Sequence, residues 1–290
     1  LQATGFYVHS TSNEAQIDTG RDFNAPGATG EIFDESTGWF ERELLFGQLR
    51  GEHEFGRLAF NWRGSLAQST RDAPYERSLR RFPTATGNVL YSVANNYGIR
   101  FSELTDDVSG FGADLIYTED LGGGREVKIS AGVDTASTDR EYNFLALRFA
   151  GGNSLPANVQ AARPDFLFSP DNISPARFVL QEIVTPNDSY TANLDVDALY
   201  VQGEAAITHF IRTTLGMRYE NAQQSVQTFD RFGNPGAGAV NLENEYLLPA
   251  LTLTWNFADD LQLRAAYGET ITRPQFRELV AQVYYDPESN

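Results

Sequence analysis

The chain has 290 residues and a formal net charge of -17, with 39 acidic residues against 22 Lys and Arg. This balance excludes binding of nucleic acid through a dominant basic patch, and the absence of cysteine excludes disulfides, thiolate metal sites and thiol catalysis. Aromatic residues make up 12% of the chain, and no apolar run reaches the ~18 residues of a membrane helix, so the composition favours strands joined by turns.

The predicted strands follow a period of two. The first covers residues 2–11, and the next, around 45–51, fits the pattern more loosely. The alternation is clear at 58–66, where Leu58 and Phe60 begin an apolar set and polar or small residues stand between its members. Side chains alternate between the two faces of a strand, so one face is apolar and the other polar. The same alternation recurs at 111–117, 127–134, 192–200, 213–220, 251–257 and 261–268.

Two of the predicted strands carry exceptions to the rule. Leu44 and Phe46, at the looser strand around 45–51, fall on the polar side. At 192–200 the apolar set is predicted to include Leu194 and Tyr200, with Asp195 opposite. Leu199 and Val201 then fall on the polar side.

Short and long connections alternate along the chain. Gly and Asp supply the backbone freedom of tight turns near 54–56, 120–124 and 258–260, and another tight turn is predicted near 208–209. Between the turns lie long polar segments, predicted as loops at about 12–38, 69–107, 139–189 and 227–243. Every short turn therefore falls at one end of the sheet and every long loop at the other, which is the layout of bacterial outer-membrane barrels.

We interpret the apolar face as the surface that meets lipid and the polar face as the wall of a lumen. On that wall we expect charged side chains to contact each other, water or a plug rather than a ligand: Arg63, Asp114, Lys128, Asp134, Asp195, Asp197, Arg218 and Arg264. The alternative is a soluble β-sandwich or barrel, in which the apolar face would form a dry core.

About nine or ten strands are predicted over residues 1–290. Open sheet edges are not tolerated in hydrocarbon, so the strands either close into a small barrel or belong to a larger one. The long loops favour a larger barrel. Because the stretch at 283–288 has a loop-like composition, we expect the chain to be a segment that lacks closing strands.

The stretch at 261–279 resembles a barrel-strand signature of TonB-dependent receptors, in which an alternating strand ends in Thr-Arg-Pro, here Thr272, Arg273 and Pro274. The Leu-Pro pair at 248–249 is similar to the opening of the partner strand in that family. The resemblance implies an all-β, antiparallel, up-and-down transmembrane barrel of about 22 strands around a plug. The predicted domain is a partial barrel at 1–290, and no position matches the plug or the family's energy-coupling residues.

The predicted loops supply candidate ligand contacts, because aromatic rings and guanidinium groups stack on sugars or chelates and bind carboxylates. These candidates are Tyr75, Arg80, Arg81, Tyr97, Arg148 and Arg163. The alternative is that the same side chains pack the loops on each other. For the Thr-Arg-Pro motif we expect strand termination and loop anchoring, with substrate contact as the alternative.

No catalytic residue, metal site or cofactor is predicted, because His53 and His209 lie beside short turns without a cluster of carboxylates. The resemblance implies a receptor of the bacterial outer membrane that imports a siderophore, carbohydrate or similar nutrient. Its partners would be membrane lipid and lipopolysaccharide, its own plug and the TonB complex. One alternative is a small barrel enzyme, for which only His9 stands near the loop end. Another is a soluble binding module, which would be monodisperse without detergent.

Overall fold

The computed structural model describes residues 1–22, 30–85, 87–90, 97–151, 155–184, 187–236, 238–258 and 260–280. Its strands are β1 (Gln2–Arg21), β2 (Glu31–Phe55), β3 (Leu58–Thr84), β4 (Gly87–Leu90), β5 (Tyr97–Gly122), β6 (Arg125–Ala150), β7 (Val179–Ile183), β8 (Ser189–Thr208), β9 (Ile211–Phe229), β10 (Val240–Ala258) and β11 (Leu261–Gly268). The helices are α1 (Ala157–Gln160), α2 (Pro164–Leu167) and α3 (Phe276–Leu279). Within the described ranges, no helix is long and apolar enough to cross a membrane.

The strands form one antiparallel, up-and-down sheet. In the described part of the chain, nine strands pair in the order β1, β2, β3, β5, β6, β8, β9, β10 and β11, while β4 pairs with β3 and β7 with β6. Each strand on this path follows its neighbour in sequence, so hairpins account for the whole arrangement. The predicted fold class and the predicted number of strands are confirmed. The path starts at β1 and ends at β11, which leaves the sheet open, and the predicted loop at 283–288 lies outside the described residues.

Tight turns join the strands at one end, which we call the short-turn end. Gly56, Gly123 and Gly124 have φ of 66°, 63° and 74°, a region that side chains disfavour and hairpin turns require. At the turn between β8 and β9, the Thr208 hydroxyl oxygen accepts a hydrogen bond of 3.0 Å from the Ile211 amide. The turns predicted near 54–56, 120–124 and 208–209 therefore lie where the sequence placed them, and the long connections lie at the opposite, long-loop end. Residue 259 of the turn predicted at 258–260 lies outside the described residues.

The predicted loop boundaries were wrong. Strand pairing continues through much of all four segments, for example up to Arg21 in β1 and from Glu31 in β2. The loop predicted at 69–107 is strand up to Thr84 and again from Tyr97, and the loop predicted at 139–189 begins only after Ala150. The fourth segment, 227–243, loses residues at both ends to β9 and β10. The strands rise beyond any apolar band, and there the division into one apolar and one polar face is lost, so the alternation that marks a strand disappears although the ladder hydrogen bonds persist.

The two faces of the sheet differ in chemistry. We call the face that carries Leu58 and Leu66 the outer face, and the face that carries Arg63 the inner face. Outer side chains are apolar yet exposed: Leu66 is 69% exposed, Leu215 63% and Val133 51%. A soluble sandwich would bury these groups, whereas lipid contact accounts for an exposed apolar face.

The predicted facing of β8 was wrong. Leu199 pairs with Val133 and Val201 with Ala131, so the two supposed exceptions belong to the outer face. Tyr200 points inward, and its hydroxyl donates a hydrogen bond of 2.7 Å to Asp114. Asp195 and Asp197 consequently lie on the outer face rather than on the lumen wall. These carboxylates lie towards the long-loop end, where the outer face meets water and the apolar–polar rule reverses.

An extra residue in β3 changes the facing of the side chains beyond it. Ala73 pairs with Ser102 and Glu76 with Arg100, so three steps along β3 match two along β5. A bulge of this kind reverses the alternation from that point onward. Side chains of β3 that follow the bulge therefore face opposite to their sequence parity.

The connection between β6 and β8 packs on the outer face at the long-loop end. Phe149 lies on the outer side of β6, where its ring stacks on Phe168 at 4.3 Å and meets Phe178 edge-on at 5.5 Å. Leu79 and Leu167 join this cluster and are 3% and 0% exposed. The helices α1 and α2 therefore thicken the wall from outside.

Candidate functional site

Alternating charges connect neighbouring strands across the inner face. Arg63 on β3 donates to Asp114 on β5 at 2.7 Å and also pairs with Asp134 on β6. Asp114 accepts a further hydrogen bond from Tyr200 on β8. Each of these residues was placed on its strand by period-two alternation, and all but Tyr200 were predicted for the lumen wall. The expectation that the charged wall residues contact each other is met at this point.

The same network continues to the Thr-Arg-Pro motif. Arg218 on β9 lies 3.4 Å from Asp134 and donates to Glu220 at 2.9 Å. Glu220 also accepts a hydrogen bond of 2.6 Å from Arg273, and its side chain is 10% exposed. We call this run of contacts from Arg63 to Arg273 the inner ion-pair network. Buried charges need such partners, because an unpaired charge at low exposure is costly.

The residues after β11 fold back over the inner face. The carbonyl oxygen of Pro274 accepts a hydrogen bond of 2.9 Å from the Gln224 side chain. Phe276 is 6% exposed and packs with Tyr190 and Val226. The Arg140 guanidinium lies 5.2 Å from the centre of the Phe276 ring. We call 269–280 the inner segment; it ties β9 to β8 and β6, whereas Thr272 itself is exposed.

Arg140 and Tyr142 support the wall beneath the inner segment. Arg140 makes two hydrogen bonds of 2.6 Å to the Asp106 carboxylate. Burial raises the pKa of Tyr142 to about 12, and its ring centre lies 5.3 Å from that of Tyr190. The Tyr142 hydroxyl therefore stays protonated at neutral pH and serves as a hydrogen-bond donor and acceptor, not as a charge.

The predicted ligand candidates are not gathered in one place. Arg80 faces inward and pairs with Asp34, with hydrogen bonds of 2.6 and 2.7 Å. Arg148 lies on the inner side of β6 and donates to Gln181 at 3.1 Å. Arg81 faces outward, pairs with Glu35 and donates to the Ala162 carbonyl oxygen. It therefore holds the part of the connection between β6 and β8 that follows α1; we call this connection the outer loop.

The remaining candidates lie elsewhere. Tyr75 sits at the bulge of β3, with the Arg77 guanidinium 5.1 Å from its ring centre. Arg163 has an 85% exposed side chain beside Asp165 on the outer loop. The side chain of Tyr97 lies outside the described residues.

The structure gathers an inner-face cluster that the sequence analysis did not single out. Phe40 and Arg42 are two residues apart on β2, and Arg71 on β3 pairs directly with Arg42. Both guanidinium groups lie over the Phe40 ring, at 5.6 and 5.1 Å from its centre. The spacing of Phe40 and Arg42 places them on one face of a strand, but 12–38 and 69–107 had been taken as loops, and this interpretation hid the register between β2 and β3.

In the described ranges, no three His, Asp or Glu side chains are grouped so that they could hold a metal ion. The inner face is therefore best described as a polar wall built from arginine–carboxylate pairs and aromatic rings. Such a wall can line a water-filled or plugged lumen and can bind polar solutes.

Comparison with known proteins gives a consistent family. The family model described as TonB dependent receptor-like, beta-barrel matches residues 2–290. The siderophore receptor PiuA from Acinetobacter baumannii superimposes with a TM-score of 0.51 at 9% identity, covering 92% of this chain and 48% of that one. The ferric citrate transporter FecA gives a TM-score of 0.41 at 13% identity, covering 91% and 43% of the two chains. FyuA from Yersinia pestis, a ferric yersiniabactin uptake receptor, gives 0.41 at 11%, covering 90% and 41%.

No curated protein matches the chain in sequence. The chain spans about half the length of PiuA, and this likeness supports the antiparallel barrel fold alone. The family match covers nearly every residue, and TonB-dependent receptors are outer-membrane transporters of bacteria rather than enzymes. The resemblance first seen at Thr272, Arg273 and Pro274 is thereby confirmed. The chain belongs to the TonB-dependent receptor-like β-barrel family.

Proposed function

We propose that the chain forms about half of the barrel wall of a receptor that takes up a scarce nutrient across the bacterial outer membrane. The observation that carries this proposal is the division of one sheet into an exposed apolar face and an ion-paired polar face. Lipid on the outside and a polar lumen on the inside account for both faces, as in transmembrane barrels. Membrane lipid and lipopolysaccharide would then surround the outer face.

A plug and the TonB complex complete the proposal. The remainder of a barrel of about 22 strands would close the sheet and hold a plug against the inner face. The inner ion-pair network joins three arginines to three carboxylates, so it carries no net charge. A charge-balanced wall would offer polar contacts to a plug without holding it by a strong field, which suits a plug that must rearrange during import.

The ligand would reach the inner face from the long-loop end. PiuA is a siderophore receptor and FecA a ferric citrate transporter, so ferric chelates are the first class to test, with oligosaccharides second. Among the predicted contacts, Arg80 and Arg148 face inward and are placed to line the path. Arg81 and Arg163 belong to the outer loop, where support of that loop accounts for them.

Uptake in a deletion strain tests the proposal. The host lacking the gene should lose accumulation of one radiolabelled ferric chelate or oligosaccharide, and the full-length gene should restore it. A strain without TonB should show the same loss despite normal amounts of receptor in the outer-membrane fraction. Unchanged uptake of every compound in the deletion strain, or recovery of the protein in the soluble fraction, would overturn the proposal.

A further inference from the structure

Two arginines stand directly opposite each other on the inner face. Arg42 on β2 pairs with Arg71 on β3, and both guanidinium groups lie over the ring of Phe40. The ring lies against Gly38, where a Cβ atom would come within 2.9 Å of Phe40 Cε2. Gly38 therefore provides the space that the ring occupies, and the orientation of the cluster is built into the strand. We call Phe40, Arg42 and Arg71 the inner arginine cluster.

The charges of this cluster are not neutralised by nearby carboxylates. In the described part of the chain, neither Arg42 nor Arg71 has a carboxylate oxygen within 4.0 Å; Arg71 donates instead to the Ser102 hydroxyl at 3.0 Å. By register, the nearest inward carboxylates are Asp106, which pairs with Ser69 and is bound by Arg140, and Glu14 and Glu76, which both pair with Gly38. Like charges at directly opposed positions destabilise a sheet, so the arrangement carries a cost that a bound anion would relieve.

Five other arginines of the inner face are paired with acidic side chains. Arg63, Arg80, Arg140, Arg218 and Arg273 each contact a carboxylate. Arg42 and Arg71 therefore differ from these five arginines in lacking a carboxylate partner among the described residues. Arg42 is exposed and Arg71 half-buried, so solutes can reach both guanidinium groups.

The height of the cluster suits a ligand that enters from outside. Arg42 lies 13 residues before the end of β2, and Arg71 lies 13 residues after the start of β3. With a rise of roughly 3.3 Å per residue and a tilt of about 40°, the cluster stands about 33 Å above the short turns. An apolar band about 25 Å tall would end below it.

We propose that the inner arginine cluster is a subsite for an oxyanion, a carboxylate or phosphate group, carried by the imported ligand. This inference rests on the proposed function and adds the charge of the ligand. Two guanidinium forks present paired N–H donors to the oxygens of one such group or of two neighbouring groups. Phe40 holds the forks in place through its ring face. A neutral oligosaccharide offers no charge for this subsite.

Chemical modification of the full-length receptor in detergent tests the subsite without transport. Phenylglyoxal would be reacted with the receptor in citrate, inorganic phosphate, maltose or chloride at equal ionic strength, and each arginine quantified by peptide mass spectrometry. Citrate or phosphate should slow modification of Arg42 and Arg71 about fivefold at about four times its dissociation constant. Arg163, which is 85% exposed on the outer loop, should show no protection.

Matched variants complete the test. In Arg71→Gln, protection of Arg42 should fall to the level of Arg163, whereas Arg163→Gln should leave it unchanged. The subsite would be refuted if Arg42 and Arg71 were unreactive without any anion, since another part of the receptor would then cover them. Equal protection by maltose, or none by either anion, would refute it as well. If the receptor imports its nutrient but the anions do not protect Arg42 and Arg71, only this inference fails. If the anions protect both arginines but the receptor imports no nutrient, only the proposed function fails.

Discussion

Replacing Glu220 with Gln should loosen the inner segment from the wall. Glu220 accepts hydrogen bonds of 2.6 Å from Arg273 and 2.9 Å from Arg218, and its side chain is 10% exposed. Glutamine keeps one acceptor oxygen but removes the charge that both guanidinium groups face. The expected loss is about 2 kcal/mol, because charge-assisted hydrogen bonds at low exposure are weakened but not all broken. That energy corresponds to an opening equilibrium about 30-fold larger.

Hydrogen exchange detected by mass spectrometry measures this opening in the full-length receptor. Amides of the segment 269–280 should exchange about 30-fold faster in the Glu220→Gln variant, while peptides of β5 and β6 report whether the barrel is intact. Glu119→Gln is the matched control, because Glu119 pairs with an Arg57 side chain that is 65% exposed and such pairs contribute little. Unchanged exchange of the segment in Glu220→Gln would show that Arg273 does not hold it.

Two further predictions concern the outer wall and a loop. In Gly51→Ala, the new Cβ would lie within 2.6 Å of Trp62 Cε2, so we expect about 1–3 kcal/mol of destabilisation. A lower unfolding temperature would show this loss. Gly47→Ala is the control and should be neutral, because the space around Gly47 is open. Hydrogen bonds from Asn234, first of all from its side chain, lower the pKa of Asp230 below its ordinary 3.8. The turn should therefore be most ordered above about pH 4 and should loosen as pH falls through the pKa of Asp230 in the folded state. Amide hydrogen exchange at 230–234 should then become faster. Exchange that does not depend on pH, after correction for intrinsic rates, would contradict this.

Local signals made much of the fold predictable. The alternation over 58–66 shows which residues share a face of the strand, whichever strand lies beside it. Gly56 and Gly123 are recognised as turn residues from their own turns alone. The repeated order of short and long connections then determined the up-and-down path. These features follow from neighbouring residues and need no knowledge of distant contacts.

The candidate site was less predictable because facing and register are not local. The extra residue between Ala73 and Glu76 turns Arg80 inward and Arg81 outward. Pro74 is compatible with a bulge there, but it marks a bulge only once the segment is known to be strand. Arg42 and Arg71 meet only through the register of β2 with β3, and Arg71 fell in a segment predicted as a loop. The use of Thr-Arg-Pro as an inward anchor likewise depends on Glu220, 53 residues earlier in the chain.

The inner segment also makes the inner wall formed by this chain uneven. Phe276 and Val280 seal the β8 and β9 side, so that Tyr190 is only 5% exposed there. Beside β2 and β3, by contrast, the inner wall is charged, and Arg42 is exposed there. Because one short stretch of chain folds back, the two flanks of the same wall therefore offer a bound molecule unequal chemistry, one apolar and closed, the other cationic and open.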